Sequence, residues 1–496
     1  MCDKNERCLG EIKLAAFADD VQGYVSTMQS VIKWFEHMKT YSDASGAVVN
    51  VDKSMGTLLG TLKGKENEAP FMKWTSGPVK VLGVNQGINK DEVQFWQKKI
   101  VKMKQRLNCW KQRNLTLMGK AYLLKSIGLS VLLYALEIQH APLNVIKEVN
   151  TVMWSFIWKG KPERVKRAVC MRNFAEGGIG VPNIHALIDV CRVKMLGNIL
   201  SEGRETWKLL PMWFLGLHDA QNPLRKLLVI GQNRQTYEVP PFYGECVDAW
   251  LNLDCNKYPR VQNMRDHLDR NDNIDETEIT KMSVKLENGS WKAVEMCQRK
   301  ELYTLKCGTI KRSKQEVKWT NKYENIEWRR VYHPNEKIMC SKKVVEFHWK
   351  CINGAVTTGE KLKKMKLTDG LCKLCQGEEE TLEHLLLDCD TTHNFWRAVI
   401  QMIRTNCEDF HYHERHVFMG YMDDDVQTNN IVNFILLNAK WLIWKRRCII
   451  MYDAKWMDEE ELWEWFVNVL KSVKQMGTHE CLVSKKVKTL FNCLKL

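Results

Sequence analysis

The chain has 496 residues, 45% of them hydrophobic and 27% charged, a balance that belongs to a globular protein and excludes a disordered tail. Its 74 Lys and Arg outnumber 59 Asp and Glu for a net charge of +15, so a partner with a phosphate backbone is expected. No apolar run approaches the ~20 residues that span a bilayer, and the polar start MCDKNERCLGEIK has no secretory character, so the expectation is an intracellular protein with no membrane partner.

Residues 11–27, EIKLAAFADDVQGYVST, predict a strand, a tight turn at Asp19-Asp20 and a second strand. Met28, Val31, Ile32, Phe35 and Met38 then share one face of a helix over 27–40. A loop and short strand are expected in SGAVVNVDKS (45–54), and another short strand in VKVLGV (79–84). From 91 the pattern turns helical. Val93, Trp96, Ile100, Met103, Leu107 and Trp110 recur every three or four residues, an amphipathic helix of about five turns. A second helix covers 116–127, and a third begins near Pro142 and ends at Trp158, before Gly160. GGIGVPN (177–183) lacks the G-x-G-x-x-G order of a phosphate loop and predicts a rigid turn into a helix over 184–200. Residues 265–278 are an acidic polar linker, and 281–294 predict a hairpin about Asn288-Gly289. Helices return at 431–451 and 459–475, and Asp423-Asp424-Asp425 reads as a solvated loop.

Between Lys90 and Lys125 ten Lys and Arg face only two acids. Lys98, Lys99, Lys102, Lys104, Arg106, Lys111 and Arg113 therefore predict a surface that tracks phosphates. The 18 cysteines argue against a disulfide scaffold in such a chain. Four candidate ligands do have metal spacing: Cys372-x2-Cys375-x8-His384-x4-Cys389. Cys-x-x-Cys puts two thiolates on one turn, and His384 and Cys389 follow on a helical segment at its frayed end. His393 is an alternative fourth ligand. Three sulfurs and an imidazole suit tetrahedral Zn²⁺ in a closed, structural site. Lys361, Lys363, Lys364 and Lys366 precede the first ligand and form a basic patch suited to an RNA or DNA backbone. Trp96 and Trp110 fall on an apolar stripe and are expected in the core. Trp441 and Trp444, beside Lys445-Arg446-Arg447, fit a packed helix better than a stacking platform.

The order FADD (17–20), SGAVVNVDKS, VKVLGV, then Trp110-x2-Arg113-x-Leu115-x-Leu117-Met118-Gly119, resembles that of non-LTR (LINE-type) retrotransposon reverse transcriptases. The resemblance implies that Asp19 and Asp20 are the metal-binding pair of the palm, with Asp19 the direct ligand. It also implies that Lys53 lies near the incoming nucleotide and that VKVLGV is a primer-grip hairpin, with Val81 where the family carries an aromatic. FIWKG (156–160) and GGIGVPN match the thumb and its continuation. Trp349, TTGEKLKKMKL (357–367), HLLLDC and Phe395-Trp396 resemble the zinc-binding region that follows.

The implied fold is α+β and predominantly α-helical. Its parts are a partial palm with a small β-hairpin (1–90), a thumb-like helical domain (91–200), a mixed connector (201–340), a zinc-binding domain (341–400) and a helical carboxy-terminal region (401–496). Only 16 residues precede Phe17, which leaves no room for the family's earlier palm aspartate or its fingers. A truncated RNA-directed DNA polymerase is therefore expected, binding RNA or DNA with structural Zn²⁺ but not polymerising alone. Mg²⁺ would bind only if a missing polymerase portion completed the palm. A zinc-dependent nucleic-acid-binding protein and the non-functional product of a degraded element are the other readings.

Overall fold

The computed structural model describes residues 13–476, apart from 69, 71, 76, 87–91, 204, 218–225, 228, 229, 231–238, 254–281, 287, 309, 310, 334–339, 408, 424 and 454. The predicted linker at 265–278 lies outside the described residues. The fold is predominantly helical α+β. Among the described residues its strands form two-stranded sheets only: β1 (Leu14–Phe17) with β2 (Asp20–Gly23), β3 (Met55–Gly56) with β4 (Lys73–Trp74), β5 (Val79–Val81) with β6 (Val84–Gln86), and β7 (Ser283–Lys285) with β8 (Trp291–Ala293). The main helices in chain order are α1 (Met28–Ser45), α2 (Glu92–Asn108), α3 (Leu143–Trp158), α4 (Ile184–Leu200), α5 (Pro241–Leu251), α6 (Arg299–Cys307) and α7 (Lys314–Lys322). They continue with α8 (Lys342–Ile352), α9 (Gly359–Lys364), α10 (Asp390–Asn406), α11 (Val426–Tyr452) and α12 (Glu459–Met476). No single helix among the described residues is long and apolar enough to cross a membrane.

Two compact units are each assembled from three segments of chain. The first comprises Met1–Cys109, Ile127–Val152 and Asn183–Thr309. Its amino-terminal hairpin pairs Phe17 with Asp20 across a turn in which Ala18 has φ +53°. Thr27 caps α1 by accepting from Ser30 N, and Gly46 ends it in the left-handed region at φ +74°. Met28 and Val31 on this helix pack near Phe35, Leu58 and Trp74 in a small core.

The strand expected within 45–54 does not form. Asn50 instead caps a single 3-10 turn, Val51–Lys53, and the extended pairing shifts to Met55–Gly56. VKVLGV is a hairpin rather than one strand, because Leu82 and Gly83 both take positive φ, as a tight two-residue hairpin turn requires. Helix α2 buries Phe95, Trp96, Ile100, Met103 and Leu107; Val93 is exposed, and the helix stops at Asn108, so Trp110 lies beyond it. A further core of this unit joins α4, α5 and α6 to the β7–β8 hairpin through Val193, Leu196, Val247, Trp250, Val284 and Leu302.

The second unit comprises Trp110–Ser126, Met153–Pro182 and Ile310–Leu496. Its core surrounds α11, whose Phe434, Ile435, Leu442 and Ile443 meet Phe347 of α8, Phe395 and Val399 of α10 and Leu462 and Phe466 of α12. The GGIGVPN turn belongs here. A Cβ on Gly178 would stand 1.9 Å from Arg172 O and one on Gly177 2.1 Å from the Tyr332 ring, so glycine is required at both. The carbonyl of Gly177 accepts from Trp349 Nε1 at 2.7 Å. The turn is a packing device, and no phosphate-loop geometry is present in it.

Candidate metal centre

Cys372 and Cys375 sit on a knuckle between α9 and α10. Its turn is closed by Gln376 N donating to Cys372 O (2.8 Å) and Cys372 N donating to Glu378 O (2.7 Å). Gln376 takes φ +59° to make the reversal. The chain then enters a π-helical turn, His384–Asp388, in which Cys389 N donates to His384 O at 2.9 Å. A π turn closes over five residues. That is why a histidine and a cysteine five positions apart face the same point, where a regular α-helix would rotate them apart. The expected frayed helix end is in fact this closed turn.

The ligand atoms of Cys372, Cys375, His384 and Cys389 all lie within 4.8 Å of one another. Cys372 Sγ and Cys389 Sγ are 3.9 Å apart, far beyond disulfide length, and Cys375 Sγ is 3.3 Å from His384 Nε2. A tetrahedral Zn²⁺ with Zn–S near 2.3 Å and Zn–N near 2.0 Å would set these edges at about 3.8 and 3.5 Å. The donor set and its edges therefore fit a tetrahedral ion with no open position. Cys372, Cys389 and His384 are buried and Cys375 partly so. The other ring nitrogen of His384, Nδ1, is buried 3.0 Å from Glu378 Oε2 though off the hydrogen-bond line. Contact between the two thiols lowers the pKa of Cys389 and, together with burial, raises that of Cys372. His393, the alternative ligand, is exposed on α10 and outside the cluster.

Sequence reasoning missed the brace of this knuckle. Glu380 is fully buried and accepts from Gly359 N (2.7 Å), Lys373 N (3.4 Å) and, through both oxygens, from Arg447 of α11 (Nη2 2.7 Å). Gly359 permits the approach, since a Cβ there would lie 2.7 Å from Gly370 O. Arg446 donates to Thr391 O at 2.8 Å, and Thr391 Oγ1 lies 3.2 Å from Cys389 Sγ. Arg446 and Arg447 are thus packed inside.

The other candidates are dispersed. Asp19 and Asp20 are exposed at the β1–β2 turn, and among the described residues no third potential ligand converges on them. Lys53 is exposed on its 3-10 turn. Lys98, Lys102 and Arg106 form an exposed row on α2; Lys99 lies over the Phe95 ring, and Lys104 pairs with Glu148 at 2.8 Å. Lys111 is exposed in the second unit, where Arg113 covers the Trp110 ring at 4.7 Å. Lys363 and Lys364 pair with Glu379 and Glu360, and Lys366 is exposed. Lys361 instead turns its ammonium onto the carbonyls of Gly354 and Val356, so it is committed internally.

Residues 312–396 match the family described as zinc-binding in reverse transcriptase. A transposon TX1 protein of Xenopus laevis, described as an uncharacterized 149 kDa protein, is 26% identical over 251 residues, 48% of this chain and 19% of its own length. A putative ribonuclease H protein of Arabidopsis thaliana is 20% identical over 441 residues, 78% of this chain and 68% of its own. The chain therefore spans about a fifth of the frog relative and about two thirds of the plant one. It is related to the reverse transcriptases of non-LTR retrotransposons, and the four converging ligands lie inside its reverse-transcriptase zinc-binding region.

Proposed function

We propose that Cys372, Cys375, His384 and Cys389 hold one structural Zn²⁺, and that the chain uses this zinc module together with the basic row of α2 to grip RNA or DNA. The observation that carries the reading is the convergence of three thiols and an imidazole, with two edges near those of a zinc tetrahedron. Zn²⁺ would cross-link the knuckle to the start of α10 and so fix the segment bearing Lys363, Lys364 and Lys366. Purified chain should contain one zinc per molecule by elemental analysis, and Cys372→Ser should lose it. Metal-free wild-type protein of the same fold would overturn the assignment. Binding to labelled RNA should weaken steeply between 50 and 200 mM salt, as phosphate contacts demand.

For catalysis, the resemblance assigns Asp19 and Asp20 to Mg²⁺ and Lys53 to the incoming nucleotide. Two exposed carboxylates do not make a two-metal site, which takes further ligands to hold both ions. In our reading nucleic-acid binding is the activity of this chain, and polymerisation needs additional palm residues. Primer extension on an RNA template with Mg²⁺ by this chain alone, lost on Asp19→Ala, would refute that reading.

A further inference from the structure

Apart from the zinc knuckle, the second unit carries a half-open cavity of about 290 Å³, at the small end of ligand pockets. One wall is aromatic: Phe347 of α8 with Trp441 and Trp444 of α11. Trp444 is fixed, stacked on Phe347 at 5.6 Å and covered by Arg447 at 5.0 Å. Trp441, partly buried, meets Phe347 at a tilt and also lines the cavity, so it is the ring against which a base can be placed. The rim is cationic. Lys350 is neutralised by Glu346, whose other oxygen accepts from Leu117 N at 2.7 Å. Arg164, Lys343 and Lys445 remain, and among the described residues none of them has a carboxylate partner. The cavity thus joins a flat apolar wall to three uncommitted positive charges.

We propose that this cavity takes one unstacked nucleotide of a single-stranded RNA or DNA, its base against Trp441 and its flanking phosphates on Arg164, Lys343 and Lys445. Single strands present both a π-face and phosphates, whereas a duplex keeps its bases stacked and paired. A volume this small admits one base and its sugar and excludes a helix. An acidic peptide would satisfy the charges but leave the aromatic wall without a matching surface, unless it carried a ring of its own.

The inference rests on the nucleic-acid-binding reading above and deepens it. The test uses the full zinc-loaded chain and fluorescence anisotropy with a labelled 12-nucleotide oligo(U) and a blunt 12-base-pair RNA duplex. The variants are Lys343→Gln/Lys445→Gln at the rim and Trp441→Leu at the wall, with zinc content and melting temperature as checks on folding. Each variant should weaken oligo(U) binding about tenfold and leave duplex binding unchanged. Trp441→Leu should do so at both 50 and 200 mM salt, because stacking releases no counterions. Unchanged oligo(U) affinity in folded variants would overturn the pocket while leaving the general reading intact. Failure of the wild type to bind either nucleic acid would overturn both. Displacement of oligo(U) by a Glu-Tyr copolymer at equal charge would overturn the assignment to a nucleotide in favour of an acidic peptide.

Discussion

Glu380 and Arg447 are 67 residues apart in sequence and bury their charges on each other, at 0% and 1% exposure. A buried pair gains little over a good apolar contact, but removing one partner strands the other charge, at a cost of about 3–5 kcal/mol. Arg447→Met should therefore lower the urea midpoint sharply, while Glu380→Gln/Arg447→Met recovers much of the loss; equal losses in both would show that the pair is not the cause. Lys440 tests a different buried charge. Its ammonium donates to His348 Nδ1 (2.6 Å) and Val417 O (2.8 Å), with no carboxylate partner among the described residues, and burial lowers its pKa to about 8, against weaker raising effects of Cys351 and Cys340. The unfolded chain keeps that proton up to its ordinary value of 10.5, so it binds more protons than the folded chain between those limits. Stability contributed by Lys440 must then rise with pH from about 8 to 10.5. Melting curves at stepped pH should show the parent gaining on Lys440→Met across that window, and parallel curves would refute it. Neither residue was legible in sequence. Glu380 ends an acidic run and Arg447 a basic one, and runs of that kind predict solvated faces; only the tertiary fold brings them together.

The element that decides the metal site is the π turn His384–Asp388. The spacing of the four ligands was readable from sequence, because two of them are separated by a turn and the others lie on one short helix. The kind of helix was not, since HLLLD has no local feature that selects a five-residue closure over a four-residue one. Inserting an alanine after Leu387 would lengthen the segment by one residue beyond its five-residue closure and rotate His384 about 100° relative to Cys389. Zinc affinity, measured by competition with a chromophoric chelator, should fall at least tenfold, although all four ligands remain. Retention of wild-type affinity would mean that the turn does not set the ligand register. Hairpins were legible where turn chemistry was explicit, as at Asn288-Gly289. Helix α2 was legible in its period but not at its edges, where Phe95 displaces Val93 from the buried face and Trp110 falls past the last turn. The strand expected before Lys53 was lost to side-chain capping by Asn50, which satisfies the backbone of a 3-10 turn instead.

At the scale of the molecule, each compact unit draws on three separated segments, so local pattern could not reveal which residues share a core. Charge shows the consequence. The basic stretch after residue 90 looks continuous in sequence, yet Lys98 to Arg106 belong to the first unit and Lys111 and Arg113 to the second. Within it Lys104 is paired and Lys99 leans on a ring, which leaves Lys98, Lys102 and Arg106 as a row at helical spacing of four. If that row meets phosphates, Lys98→Gln/Lys102→Gln/Arg106→Gln removes about three contacts. The slope of log affinity against log salt for duplex DNA should then become shallower by about 2.7, at roughly 0.9 per phosphate. The three side chains project from the exposed face, so melting temperature and zinc content should not move. A variant that binds more weakly with the same salt slope would show that the row acts through the fold and not through phosphates.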